Sequence, residues 1–312
     1  MYNISLKYNR QLLLLLKLAI VGLAFYFIYH KLTTDNLLTF NQLEYLFSTL
    51  RLKNIWAIIL ILLLTDANWL LEIYKWKILA SIEKKITFFT AFEQCFGSLT
   101  ASIFTPNRIG EYGAKALYFE KKFRKRIVLL NLIGNISQLI ITLLFGVIGF
   151  IFIIFTFKFQ IPKIDTSKLL IAFGLIVTLY LMRKRLKLFK IKSYLKQIPR
   201  KTYYRTLVIS LLRYLAFSHQ FYLLIVLFGV EPNYFTSMPL IFTMYFLASI
   251  IPSIAIFDWL IKGSIAVFLF SFLEINELTI LSVSMLMWIL NFAIPSLFGS
   301  IFVLNFKLIK EE

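Results

Sequence analysis

Apolar stretches alternate with short polar segments along the whole chain. Two of these stretches, residues 127–157 and 278–306, contain no charged residue. Each is longer than the ~20 helical residues that cross a hydrocarbon core. Lipid offers no partners to backbone groups, so only helices or closed barrels span it. Barrel strands would show ~10-residue alternating segments, and none are present. The pattern therefore predicts an all-α polytopic membrane protein.

The apolar pattern predicts about six full spans and two shorter, broken elements. The predicted spans are residues 11–30, 55–73, 127–157, 169–182, 206–228 and 278–306. The broken elements are residues 88–120, with Pro106, and residues 238–273, with Pro252. Proline ends a helix and frees backbone groups that lipid cannot satisfy. We therefore expect each broken element to form a re-entrant hairpin or a pair of short spans, giving eight or more membrane segments.

Charge sets the expected orientation. The chain is 60% hydrophobic, yet its net charge is +19, and the positive residues cluster beside the predicted spans. This distribution favours the positive-inside rule over nucleic-acid binding, and it predicts a multi-pass protein of the cytoplasmic membrane with both termini cytoplasmic. Lysines at 75–85 form one basic collar. The segment 183–205, from Arg183 to Arg205, has no acidic residue and predicts an interfacial helix on anionic lipid headgroups.

In this topology, the element 88–120 enters the membrane from the cytoplasmic side and the element 238–273 enters it from the outside. Each half of the chain then reads span, span, hairpin, span with opposite orientation, which predicts an inverted-topology repeat. We expect one transmembrane domain over residues 1–312 with pseudo-repeats at about 11–157 and 168–306. Local sequence agrees, because Ala-Ser-Ile precedes each proline and an acidic–aromatic pair follows it, with a lysine four residues after the acid.

The breaks carry the candidate chemistry. Arg108 has five donors suited to phosphate or carboxylate, and the restarting helix points partial positive charge at the break. The acid-to-lysine pairs are in the favourable i,i+4 order and neutralise one another. The predicted substrate-binding residues are Pro106, Arg108, Gly110, Glu111, Lys115, Arg213, Pro252, Asp258 and Lys262. Alternatively, both breaks lie near the interface, the cations snorkel to headgroups, and the Glu111–Lys115 pair is structural.

Other polar residues in predicted spans leave several interpretations open. Asp66, Glu72 and His219 fit a proton relay, counter-ions or satisfied interior residues. Asn131, Asn135 and Gln138 share one helical stripe, which predicts interhelical hydrogen bonds or a polar cavity wall. The sequence contains no nucleotide-binding loop, metal-ligand cluster or nucleophile triad, and its one cysteine excludes an intramolecular disulfide. We expect no metal, no cofactor and no catalytic residue.

The segment Thr105-Pro106-Asn107-Arg108-Ile109-Gly110-Glu111, followed by Lys115, resembles a family signature. It is similar to the Pro-Gly-Arg-x-Gly-Glu motif, followed by a basic residue, of the lysylphosphatidylglycerol synthase transmembrane region. That superfamily includes the flippase domain of the multiple peptide resistance factor. Asn107 replaces the glycine, and the second, glycine-rich motif survives only as residues 252–258 without its glycines. The soluble aminoacyl-transfer domain is absent, so we expect no lysylphosphatidylglycerol synthesis.

The resemblance implies an integral membrane protein that translocates or binds a lipid or lipid-linked substrate. A flippase-like transporter, rather than an enzyme, is the leading hypothesis. One alternative is a membrane transferase acting on lipid-linked sugar, with Glu111 and Asp258 as its candidate acids. Another is an accessory subunit of an envelope lipid or glycan biosynthesis complex.

Overall fold

The protein is described by a computed structural model. It covers residues 55–158, 188–251 and 258–307, together with four single positions in the first predicted span, 15, 18, 22 and 26. Within these ranges the regular secondary structure is helical. The predicted span 169–182, Pro252 and most of the span 11–30 lie outside the described residues.

The first half contains two long helices separated by a broken pair. The helices are α1 (Ile55–Ala80), α2 (Phe88–Ala101), α3 (Gly110–Leu117) and α4 (Lys121–Thr156). Thr87 caps α2, since its side chain accepts a hydrogen bond from the backbone N–H of Thr90 at 3.1 Å. The break between α2 and α3 contains Pro106, where the sequence predicts it.

The second half repeats the alternation of long and short helices. Its helices are α5 (Leu188–Gln197), α6 (Arg200–Leu227), α7 (Tyr234–Ile250), α8 (Asp258–Phe270), α9 (Glu277–Trp288) and α10 (Ile294–Asn305). A π-helical segment, Ile289–Ala293, joins α9 to α10. Pro295 follows it and has no N–H to donate to the carbonyl of residue 291, which accounts for the widened turn.

Four helices of the described chain are long and apolar enough to cross a membrane: α1, α4, α6 and the continuous Glu277–Asn305 helix. Each overlaps a predicted span, and the charged ends of α4 and α6 extend the helices beyond the apolar runs. Apolar side chains on α4, such as Leu144 and Ile148, are more than half exposed. Such side chains suit contact with lipid.

Three helix pairs hold the bundle together: α4 packs on α7, α1 on α6, and α2 on α10. The contact of α2 with α10 is close at Gly299 of α10. A Cβ at this position would overlap the Phe96 carbonyl oxygen and Thr100 Oγ1 of α2. Thr100 Oγ1 also donates a 2.6 Å hydrogen bond to the Ser296 carbonyl. The helix before the break is therefore anchored to the last span through backbone contact.

Helix α5 is tied to the ends of α1 and α4. The Tyr194 phenol donates a 2.7 Å hydrogen bond to Glu83, and Arg126 pairs with the same carboxylate at 3.3 Å. Burial, followed by the hydrogen bond to Glu83, raises the pKa of Tyr194 well above its ordinary value. This contact fixes one end of the basic segment, while Lys196 and Lys201 remain exposed.

Candidate functional site

The break between α2 and α3 is a compact turn with a strained backbone. Asn107 and Arg108 have φ values of 47° and 56°, the left-handed region that asparagine tolerates and arginine rarely adopts. Thr105 Oγ1 accepts a 2.9 Å hydrogen bond from the backbone N–H of Gly110. A Cβ on Gly110 would lie 2.8 Å from Thr105 Cγ2. Because glycine has no Cβ, Thr105 can pack against residue 110, where α3 begins, two residues after Arg108.

Helix α3 carries a linear chain of charges on its buried face. Arg108 Nη2 lies 2.9 Å from one carboxylate oxygen of Glu111, and Lys115 Nζ lies 2.6 Å from the other. Lys115 is fully buried and also donates a 3.0 Å hydrogen bond to Asn131 of α4. Glu111 thus links an arginine at the break to a lysine in the bundle interior.

Glu72 of α1 is the second centre of charge. Its carboxylate contacts Lys75 at 2.7 Å and Arg213 of α6 at 2.6 Å, and Lys115 lies 3.9 Å away. Glu72 and Lys75 are both buried. The three cations come from three different helices, so this carboxylate holds α1, α3 and α6 at one point.

The two centres form one network with unequal charge. It contains four cations, Arg108, Lys75, Lys115 and Arg213, and two carboxylates, Glu72 and Glu111. The buried members balance, Lys75 and Lys115 against Glu72 and Glu111, whereas the side chains of Arg108 and Arg213 are 34% and 18% exposed. The described network therefore leaves a positive excess that favours an anion nearby.

A line of amide side chains continues from Arg213. Its Nε donates to Asn68 at 2.8 Å, and Asn68 donates to Asn291 at 2.8 Å. Asn291, in the π-helical segment, donates to Gln220 at 2.9 Å, and Gln220 donates to Thr65 at 2.6 Å. These bonds fix the Arg213 guanidinium from both sides, with Glu72 on one and Asn68 on the other.

A cavity of about 390 Å³ lies beside this network. Its size is within the range of small-ligand sites, ~300–1,000 Å³. Arg108 from the first break and Arg213 from α6 both line it, and Asp258 and Lys262 of α8 line it as well. Lys262 pairs with Asp258 at 2.6 Å. The cavity therefore brings charged residues of both halves of the chain together.

The predicted site residues divide into three groups. Arg108, Arg213, Asp258 and Lys262 line the cavity, whereas Glu111 and Lys115 lie behind it in the buried network. Gly110 shapes the turn, Pro106 is exposed at the break, and Pro252 lies outside the described residues. The stripe on α4 makes interhelical bonds, since Asn131, Asn135 and Gln138 contact Lys115, Tyr112 and the Ser210 carbonyl respectively.

The sequence did not indicate that Glu72 is a centre of the ion-pair network or that Lys75 lies inside the bundle. Lys75 is assigned to the cytoplasmic collar by sequence, but it is only 2% exposed and pairs with Glu72. The available signal is the spacing of Asn68, Glu72 and Lys75, which places all three on one face of an apolar helix. Their partners on α3 and α6 lie too far along the chain for this spacing to reveal.

No group of three or more His, Cys, Asp or Glu side chains that could hold a metal ion occurs within the described ranges. The cavity wall is more apolar than polar, with several aromatic side chains, and Arg108, Arg213 and Lys262 add cationic groups that suit recognition of an anionic group.

Four apolar helices long enough to span a membrane, with a cavity lined by charged and aromatic side chains, define a multi-pass helical membrane protein. Residues 14–299 match the family model described as the lysylphosphatidylglycerol synthase TM region. The chain belongs to this family, as the motif around Arg108 predicts. No curated protein matches the chain, and no solved structure does. Membership links it to lipid biosynthesis or translocation.

Proposed function

We propose that this protein is flippase-like: it binds the anionic headgroup of a lipid or lipid-linked substrate in the cavity and carries it across the cytoplasmic membrane. One observation carries the proposal. Arg108 and Arg213, from separate elements, line one cavity and belong to an ion-pair network that contains more cations than carboxylates. Arginine favours phosphate because its planar donors match the phosphate oxygens.

Unpartnered donors at this wall support the same ligand. Arg108 Nε and Trp69 Nε1 are buried and have no hydrogen-bond partner among the described residues. Both residues line the cavity. A buried donor without a partner costs about 1–3 kcal/mol, so a ligand that brings acceptor oxygens recovers part of that cost.

The remaining predicted residues take supporting roles in this proposal. Glu111 orients Arg108 through one carboxylate oxygen, and Lys115 stabilises Glu111 through an ion pair with the other. Asp258 and Lys262, paired with each other, contribute another part of the cavity wall. Gly110, Pro106 and Pro252 shape the two breaks, and the segment 183–205 binds anionic headgroups at the cytoplasmic surface.

The proposed topology has about six full spans and two re-entrant hairpins in one transmembrane domain. Its inverted repeats, about 11–157 and 168–306, rock against each other to give alternating access, with both termini cytoplasmic. In this arrangement the cavity opens to each side in turn. An envelope biosynthesis complex on the cytoplasmic side would supply the lipid.

Lipid movement in proteoliposomes tests the proposal. The full chain is reconstituted with acyl-labelled fluorescent phosphatidylglycerol, and dithionite quenching reports the lipid that reaches the outer leaflet. We expect movement well above that of protein-free vesicles and an about tenfold lower rate for Arg108→Gln or Arg213→Gln, equivalent to one lost charged contact. Lys122→Gln is the matched control, because Lys122 is exposed and its ion pair with Glu120 lies at the surface, away from the cavity.

Two results would overturn the proposal. If the wild-type protein moves no more lipid than empty vesicles, it does not translocate lipid. If Arg108→Gln and Lys122→Gln transport equally, the cavity is not the site. Chemical conversion of the lipid in the same vesicles would instead support the transferase alternative.

A further inference from the structure

An acidic side chain lies on the exposed side of α1. Asp66 is exposed near the middle of this apolar helix, well inside both of its ends, Ile55 and Ala80. Its neighbours on the same face are exposed apolar side chains, namely Leu62, Leu63, Leu70 and Tyr74. The described residues include no ion-pair or hydrogen-bond partner for the Asp66 carboxylate. This face therefore carries a charge in surroundings that otherwise suit lipid.

The cation that matches this carboxylate is found by elimination among the predicted spans. A carboxylate inside a membrane is costly, and such a residue is usually paired with an opposite charge. The buried network does not supply that charge, because its cations already pair with its own carboxylates. Two predicted spans lie largely outside the described residues. The span 169–182 has no charged residue, and the span 11–30 has one, Lys17.

The described positions of the span 11–30 indicate which way position 17 faces. They are helical and form one exposed stripe, which consists of Leu15, Leu18, Gly22 and Tyr26. A helix turns by about 100° per residue, so position 17 lies about 100–180° from every member of this stripe. The exposed stripe suits contact with lipid. Position 17 is then directed toward the rest of the protein.

The two charges also lie at matching depths. Consecutive spans are usually neighbours in space, so the end of the span 11–30 lies beside the start of α1. Lys17 precedes the end of its span at His30 by thirteen residues, and Asp66 follows Ile55 by eleven residues. The two positions therefore differ in depth by only ~3 Å, at the helical rise per residue. The flexible four-carbon stem of lysine can span this difference.

We propose that the exposed face of α1 around Asp66 is the docking surface for residues 11–30, and that Lys17 pairs with Asp66 inside the membrane. Helix α1 then uses one acidic residue on each side. Glu72 binds the cations of the bundle interior, and Asp66 binds the first span. The inference is independent of the proposed function, since Asp66 does not line the cavity.

Photo-crosslinking maps what lies against this face. The full chain is produced with benzoylphenylalanine in place of Leu70, one turn from Asp66, and is irradiated in native membranes before mass spectrometry of its peptides. We expect attachment within residues 11–30 of the same chain. The control places the probe at Ile301 of α10, which is 54% exposed against 52% for Leu70, and should attach to lipid. Attachment at position 70 to lipid alone, to a second copy or to another protein would overturn the proposal.

Charge neutralisation tests the ion pair itself. Asp66→Asn or Lys17→Gln alone leaves one unpaired charge in the membrane and should lower the melting temperature of the purified protein by roughly 5–8 °C. The double variant removes both charges and should recover most of this loss, and Lys17→Arg should melt close to the wild type. Single variants that melt like the wild type, or a double variant that loses the sum of the two single effects, would overturn the pairing.

Discussion

The contact between α2 and α10 predicts a strong effect of Gly299→Ala on stability. The added Cβ would overlap two atoms of α2 and lie 2.8 Å from the Phe96 carbonyl carbon. Carbon atoms in good contact are ~3.5–4.0 Å apart, so the helices must separate by about 1 Å. Overpacking of this kind costs ~1–3 kcal/mol, and loss of the Thr100 hydrogen bond to Ser296 adds ~1 kcal/mol.

These terms together give ~2–4 kcal/mol, or a melting temperature lower by roughly 3–6 °C for a chain of this size. The assay is thermal unfolding of the purified protein in detergent, with light scattering to detect aggregation. Gly113→Ala is the matched control, because no heavy atom lies within 4 Å of a Cβ at Gly113 in α3. Alanine also favours a helix over glycine. Equal melting temperatures for the two variants would refute the close approach of α10 to α2.

Two further predictions concern the charges. Glu72→Gln leaves three cations around a neutral side chain, of which Lys75 and Lys115 are buried, and should destabilise the protein by roughly 3–5 kcal/mol in thermal unfolding, whereas Glu120→Gln, at an exposed ion pair, should change little. Identical unfolding of both variants would contradict the role of Glu72. The double variant Lys196→Glu with Lys201→Glu should lower the amount of phosphatidylglycerol that co-purifies per protein. Each lysine near the membrane surface contributes ~1 kcal/mol to the binding of anionic lipid. An unchanged lipid content, in low and high salt alike, would exclude the surface interaction.

The class of protein and the places where its helices break follow from the sequence. Uncharged runs such as 127–157 are long enough to cross lipid, and a helix satisfies their backbone hydrogen bonds there. Pro106 marks the first break because its ring fixes φ and it has no N–H to continue the helix. The pairing of Arg108, Glu111 and Lys115 is equally local, since side chains three and four residues apart share a helix face.

The choice of partners across the bundle needed the tertiary structure. Glu72 is followed on its own helix by Lys75, but the sequence does not say that Arg213, 141 residues away, completes its contacts. Gly299 looks like any glycine in an apolar run, and only its approach to Phe96 gives it a role. Hydrophobic pattern locates the spans but does not distinguish their lipid-facing and buried sides, because both are apolar; the packing of distant faces decides which polar groups meet and where a cavity remains.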